Sequence, residues 1–572
     1  MKKAFMILAL VLTTLALMSQ TKMDNNKVKI TSTLPQIKQN GAVKQMYVDG
    51  KPFIMLSGEL HNSSASSIEY MKPIWDKLKA MNLNTVVSTV SWELIEPEEG
   101  KFNFDLVDSQ IAEAKKRDLR LVLIWFASWK NSGSSYTPLW VKTNPERFPV
   151  QKINPPAPGK SGMVTFIFGS SPLPLSPLGK ASMMAEAKAF KALMRHIKEV
   201  DPEHTVIMMQ VDNEMGLLGD SRDRSALADE AWEKPVPAEL INYFSRNKAT
   251  LLPEMQEIWG RNGYKTTGTW AEVFGKDEWA EEVFMAWYYS VYINKVIVEG
   301  KAELNIPMYV NAWLGPQPGA DLPGTWPTGG PVARVMDVWH AGAPSVDLLA
   351  PDIYVDDFKG VVADYTRSGN PLWIPEAKDQ TGNLFWALGH HSALGFAVFG
   401  IEDLSEKGQL ARAYGLLGEM LPQLSEWMAE GKVKGILLTE GEAKQEISLG
   451  GYIFTVTKPF SFGGGSSDAA ENKALMSGGI SFEGRALPDD NRPFGIIINT
   501  APDEFLIVGS NLSTKFSIES PEVKKVAIGS IDEGVYVKGV WKPGRRINGD
   551  EVYSSMPKGK LLIQKIKVFQ YN

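Results

Sequence analysis

A (β/α)8 barrel followed by an antiparallel β-sandwich is the architecture this sequence predicts, and three observations carry it. From Pro52 to about Gly400, short apolar runs alternate with longer amphipathic patterns, as in a parallel sheet whose strands are joined by helices. Eight such runs are present, the number a closed barrel requires. From about Val433 the pattern changes to short alternating runs separated by Gly- and Asn-rich turns, as in an antiparallel sandwich.

The eight runs are Phe53–Ser57, Thr85–Val90, Leu121–Phe126, Val206–Val211, Met308–Asn311, Asp347–Ala350, Leu372–Pro375 and Gly395–Phe399. Amphipathic stretches such as Ile68–Ala80, Val107–Arg117 and Met183–Val200 lie between them. A doubly wound open sheet is the competing arrangement. The first run is followed by Ser57-Gly58-Glu59 and not by the Gly-x-Gly-x-x-Gly of a dinucleotide site, which weighs against it. Two insertions follow strands: a Pro-, Gly- and Ser-rich stretch from Pro149 to Lys180, and a helical block from about Arg224 to Glu303. Both belong on the C-terminal face, where they would wall a pocket. The sandwich runs are Tyr452–Val456, Ile496–Ile498, Phe505–Val508 and Val535–Val540. The glycine cluster Phe462–Ser467 reads as a surface loop, since it lacks the Lys-Ser/Thr of a phosphate-binding loop.

The chain has 572 residues, enough for two or three domains: a leader at 1–20, a barrel at 45–430 and a sandwich at 431–572. Lys2-Lys3 precede an apolar run from Ala4 to about Met18, as in a secretory signal peptide; an uncleaved anchor is the other reading. The expected location is therefore periplasmic or extracellular, with no stable membrane association once the leader is removed. There is no Cys, hence neither a disulfide nor a lipid-modified cysteine. The net charge of -6, becoming -8 without Lys2 and Lys3, argues against a nucleic-acid partner. The six histidines are dispersed without metal-ligand spacing, and no cofactor is called for. The absence of Gly-x-Ser-x-Gly removes support for a nucleophile-elbow hydrolase.

The chemistry points to two strand ends. Thr205–Val211 is an apolar run that stops at Asp212-Asn213-Glu214, and Leu372–Pro375 stops at Glu376. Taken alone, Asp212 or Asn213 reads equally as a helix cap and Glu214 as a solvated acid. At the ends of strands four and seven, however, Glu214 and Glu376 face one another across a barrel mouth. Two carboxyls so placed are the pair that glycoside hydrolysis uses.

Asn213-Glu214 and Glu376 resemble the signature of retaining (β/α)8 glycosidases. Ser57-Gly58-Glu59-Leu60-His61 and the stretch from Trp92-Glu93-Leu94-Ile95-Glu96-Pro97 to Phe104 resemble the β-galactosidases of glycoside hydrolase family 35, the likeness running from about Gln45 to Asp403. The resemblance implies Glu214 as general acid/base, Glu376 as nucleophile, Asn213 on the sugar 2-hydroxyl, and Tyr354 as a hydrogen-bond donor to Glu376. It implies a retaining exo-β-galactosidase acting on terminal galactosides of plant or other complex oligosaccharides, xyloglucan fragments among them. A β-glucosidase, an arabinosidase and an inactive carbohydrate-binding barrel are the alternatives.

The chain departs from the family pattern twice. His61 is followed by Asn62-Ser63-Ser64 in place of an aromatic and an Arg, and Ala127-Ser128-Trp129-Lys130-Asn131 stands where Ala-Glu-Trp is usual. Lys130 and Asn131 are therefore candidates for the hydroxyl contacts of the missing carboxylate. His61 is a sugar contact or a satisfied pocket residue. Trp92, Trp129, Trp313 and Trp326 lie beyond strand ends, and one or two of them are expected to stack on a sugar. Glu402-Asp403 bind hydroxyls or open a helix.

Overall fold

The computed structural model describes residues 33–133, 136–154, 174–459, 489–518, 524–549, 551 and 556–572. The leader expectation, most of the first insertion and the glycine cluster at 462–467 lie outside these residues.

Both predicted parts of the architecture are present. Eight parallel strands form the barrel: Met55–Glu59, Thr85–Ser91, Arg120–Lys130, Val206–Asn213, Met308–Trp313, Leu348–Ile353, Glu376–Ala377 and Gly395–Phe399. They are hydrogen-bonded in the order 7-6-5-4-3-2-1-8, and a parallel bridge between Ile374 and Phe396 joins strand seven to strand eight. Helices cover the outside, among them Ile68–Ala80, Asp105–Lys116 and Lys180–Val200.

Most of the strands run further toward their C-terminal ends than the apolar runs that signal them. The third extends to Lys130, the fourth to Asn213, the fifth to Trp313 and the sixth to Ile353. Ladder hydrogen bonds do not depend on side-chain polarity, so pairing continues after the apolar pattern stops. The seventh strand is the converse case. Pro371 and Pro375 each lack a backbone donor, and only Glu376–Ala377 pair regularly, opposite Asp352–Ile353.

Side-chain alternation decides what enters the barrel. Met55, Val122, Ile124, Phe126, Tyr309, Leu348, Ala350 and Trp373 share one buried interior cluster with Met46 and Val48. Those last two come from a feature the sequence does not announce. It is a three-stranded antiparallel sheet, Gln36–Asn40, Val43–Val48 and Lys51–Phe53, that closes the N-terminal end of the barrel. The same parity carries Glu59, Asn311 and Asp352 inward, two or four residues further toward the C-terminal mouth.

The block after strand four contains helices Ala226–Trp232, Ala238–Asn247, Pro253–Gly260, Trp270–Phe274 and Glu278–Lys301. Its tryptophans at 232, 259, 270 and 287 are buried. Arg224 ties the block to its entry loop, donating to Asp220 and to Glu281.

Beyond the helix Leu421–Ala429, antiparallel sheets begin at Val433. A six-stranded sheet has the order Val433–Leu437, Phe494–Ala501, Glu504–Ser510, Leu562–Tyr571, Lys525–Val537 and Val540–Ile547. A three-stranded sheet of Lys444–Leu449, Tyr452–Thr457 and Ser513–Ile518 packs on it through Phe454, Ile497, Phe505 and Ile507. The other face, through Leu437, Phe494 and Ile496, joins the barrel core. Val535–Val540, expected as one strand, is a hairpin: Val537 pairs with Val540 around Lys538-Gly539. Both turn residues have positive φ, 50° and 76°, as a tight two-residue turn requires.

Candidate active site

Glu214 directly follows barrel strand four and Glu376 opens the short strand seven opposite Asp352 near the end of strand six, so both lie at the C-terminal mouth; both are buried, at 5% and 6% exposure. The acid-bearing end of strand four is held by backbone and side-chain bonds. Asn311 Oδ1 accepts from the Glu214 amide at 3.0 Å, and the Glu214 carbonyl accepts from Ser132 N–H at 3.1 Å. The backbone at Asp212 and Glu214 is left-handed, with φ of 57° and 46°. Two non-glycine residues in that region cost energy and need surrounding contacts to hold them. Below them Asp212 Oδ1 accepts from Trp129 N–H at 3.0 Å. Burial first, then the charge of Glu186, pushes the Asp212 carboxyl well above its usual range.

Asn213 is oriented by two donors. Gln210 Nε2 and Asn311 Nδ2 both reach its Oδ1, at 2.9 and 3.1 Å. Its Nδ2 has no protein partner, which leaves a donor available to a ligand. Tyr354, which follows strand six, donates from its hydroxyl to Glu376 Oε1. Burial and the adjacent Glu376 hold that phenol far above the ordinary tyrosine pKa, so it stays a donor. The second oxygen, Glu376 Oε2, has no partner.

The charge arrangement separates the two glutamates. Burial raises the Glu214 pKa from 4.5 to about 7, and the charge on Glu376 adds to the shift. Lys130 and a hydrogen bond from Asp352 oppose it. Glu214 is thus poised to hold a proton near neutral pH beside a second carboxyl that accepts a tyrosine hydroxyl. This is how one pair of like groups is given two roles. Lys130, half-buried at the tip of strand three, lies over the Phe126 ring at 5.5 Å. Burial works against its ammonium, but the carboxylates of Glu214, Glu376, Glu59 and Asp352 outweigh that and raise its pKa.

The other expected residues fall into two groups. Asn131 sits beside the pair with φ of 49°; its amide donates to the Asn213 carbonyl at 3.3 Å, and its buried Oδ1 has no partner. His61 is at the mouth, with Nε2 2.7 Å from Asp403 Oδ2 and its ring edge-on to Phe399. Glu402 accepts from the His61 amide at 2.9 Å and from Ser64 Oγ at 2.6 Å, so it fixes the loop after strand one. Trp313, at the inward-facing end of strand five, is partly exposed and keeps its place as a stacking candidate.

Trp92 is a correction. It is fully enclosed, its indole N–H donates to Glu96 at 2.9 Å, and Trp140 meets it edge-on. The ring serves the core, and the polar partner it needs lies within its own turn. Trp129 and Trp326 are likewise fully buried, donating to the Leu175 carbonyl at 3.1 Å and to Glu282 at 2.9 Å.

The sequence reading passed over Glu59, Asn311 and Asp352. Asn311 Nδ2 donates to Asp352 Oδ2 at 2.6 Å as well as to Asn213, which links strands four, five and six. Each of the three is a polar residue that ends, or soon follows, an apolar run, the same signal that located Glu214.

Comparison with known proteins agrees with the resemblance. Residues 45–130 match the model for glycosyl hydrolases family 35, and residues 410–556 match a domain of unknown function, DUF5597. A β-galactosidase from Xanthomonas manihotis is 37% identical over 82 residues, 14% of this chain and 14% of that protein. A β-galactosidase-1-like protein 3 from Homo sapiens is 27% identical over 171 residues, 30% of this chain and 23% of that one. The chain therefore spans under a quarter of the length of the curated relatives it matches. A solved β-galactosidase structure from Rahnella sp. R3 shares 13% identity and a TM-score of 0.40, covering 68% of this chain and 58% of that one. The family 35 likeness of the sequence is thus borne out over residues 45–130, which carry the first three strands of the barrel.

Proposed function

We propose that this protein is a retaining exo-β-galactosidase that removes terminal galactose from plant or other complex oligosaccharides, xyloglucan fragments being one source. One observation carries the reading. Buried Glu214 and Glu376 stand at the C-terminal mouth, after strand four and on strand seven, and burial together with the charge of Glu376 lifts Glu214 to about 7.

In this reaction Glu376 attacks the anomeric carbon while Glu214 gives its proton to the departing oxygen. A retaining pair works at a carboxyl separation of roughly 5–5.5 Å. Ester formation removes the charge on Glu376 and with it one of the causes of the raised Glu214 pKa. Glu214 can then ionise and take a proton from the incoming water. Asn213 Nδ2, the unpartnered donor, would bind the 2-hydroxyl, where hydrogen bonds strengthen in the transition state. Tyr354 would hold Glu376 in its attacking orientation.

Lys2-Lys3 and the apolar run behind them, read as an export leader, would place the enzyme in the periplasm or outside the cell, where it would meet such fragments. A panel of 4-nitrophenyl glycosides tests the reading. Turnover of the β-D-galactoside above the β-D-glucoside and α-L-arabinoside supports it; preference for either of the others sinks the galactose assignment, and indifference to all three sinks the hydrolase.

A further inference from the structure

Glu59 is the least explained group in the site. It ends strand one, paired with Phe399 of strand eight and Val87 of strand two. The alternation that puts Met55 in the barrel interior turns Glu59 the same way. The residue is completely buried, yet neither carboxyl oxygen has a protein partner. Buried structural carboxyls are paired, because an unsatisfied one costs stability; one left unpaired calls for a functional explanation. Its electrostatic neighbours are Glu376, Lys130, Glu214 and Glu402, so it lies close to the proposed catalytic pair. No step of the double displacement uses it.

Resting on the glycosidase reading, we propose that Glu59 is the specificity-determining group of the glycone pocket, making a two-point contact with two adjacent ring hydroxyls, with Lys130 beside it donating to a further sugar oxygen. A carboxyl group offers two oxygens side by side, which suits two hydroxyls on neighbouring carbons. Burial, reinforced by the Glu376 charge, favours the protonated form of Glu59 in the empty site, and Lys130 opposes this. In the neutral form Glu59 has one donor and one acceptor, and a diol satisfies both. With Glu59, Glu214 and Asp352 all pushed toward their neutral forms, Glu376 and Lys130 nearly balance, which suits a neutral polyol. The contact would supply from strand one what this chain lacks on strand three, where Ser128 is turned away to Glu186 and Tyr292.

The test compares wild type, Glu59→Leu and Glu59→Gln on 4-nitrophenyl β-D-galactoside and its 3-deoxy and 4-deoxy analogues. Losing two hydrogen bonds to buried partners predicts that Glu59→Leu lowers kcat/KM on the full galactoside by about 10²-fold or more. The loss should be much smaller on at least one deoxy analogue, whose hydroxyl is already missing. Glu59→Gln keeps a donor and an acceptor and should fall between the two. The thermal unfolding midpoint is the second readout. A binding role predicts that Glu59→Leu is at least as stable as wild type, because an unsatisfied buried carboxyl has been removed. Equal losses on all three substrates, or a lowered midpoint with unchanged discrimination, would overturn the assignment while leaving the glycosidase reading in place. Absence of wild-type turnover on every substrate overturns the glycosidase reading and this assignment with it.

Discussion

Neutralising Glu376 should lower the pKa of Glu214, and Coulomb's law bounds the size of the change. Two causes raise Glu214 to about 7, burial first and the Glu376 charge second, while Lys130 and Asp352 pull it down. At a separation of roughly 5.5 Å and an effective dielectric constant of about 20, one unit charge is worth about 3 kcal/mol, or about 2 pKa units. That figure is an upper bound for this site, since burial is the larger cause and survives the substitution. Glu376→Gln should therefore bring Glu214 from about 7 to between about 5 and 6, still above 4.5. Carboxyl carbon NMR of protein labelled at the glutamate side-chain carboxyl measures this. The Glu214 signal is assigned by difference from the Glu376→Gln/Glu214→Gln protein. In the wild type the same group should appear as a fall in kcat/KM as pH rises through about 7, because the proton donor is lost. If Glu214 titrates near 7 in both proteins, the two carboxyls do not communicate, and the proton cycle argued above fails.

Two further outcomes follow from the hydrogen bonds. Tyr354→Phe removes the hydroxyl that Glu376 accepts, a charge-assisted bond worth about 1.5–3 kcal/mol; kcat should fall by about 10- to 10²-fold with little change in KM. A large rise in KM at constant kcat would instead make Tyr354 a ligand contact. Trp92→Phe keeps the ring in the core but strips Glu96 of its indole donor, so stability should drop by about 1–3 kcal/mol while KM stays within about two-fold. A strong KM effect would restore Trp92 to the sugar-binding surface.

Much of this molecule is written in strand periodicity, and the unread part has a common physical cause. Apolar runs located all eight barrel strands, because an interior strand must present buried side chains on both faces. Those runs stop where the site begins. Lys130, Asn213, Trp313 and Asp352 lie on strand extensions and are themselves polar or, for Trp313, partly exposed, so the continuous apolar pattern is interrupted before hydrogen bonding ends. Glu214 and Glu376 were legible because a mostly apolar run stops abruptly just before each of them, at Asp212-Asn213-Glu214 and at Glu376. Glu59 obeys the same rule, but it sits inside a motif that drew attention to His61. Trp92 failed for the opposite reason. Position beyond a strand end says nothing about which way a ring turns, and a glutamate four residues on satisfied its N–H in the core. The sheet that closes the barrel floor was illegible because Gln36–Phe53 alternates too weakly to stand out: Met46 and Val48 are buried in the interior cluster, while Ile37 and Phe53 pack against it only partly buried. Lys538-Gly539 split one apparent strand in two, since the closely spaced valines on either side of the turn read as a single apolar run.

The most direct test of the central claim is azide rescue of Glu376→Gly. With the nucleophile removed and Glu214 intact, azide can occupy the vacated space and attack the anomeric carbon of an activated galactoside from the face that Glu376 used. The account predicts negligible turnover without azide and restored turnover with it, the product being the galactosyl azide of inverted, α configuration. Failure of azide to restore turnover, or formation of the β-azide, would contradict Glu376 as the nucleophile and the double displacement built on it.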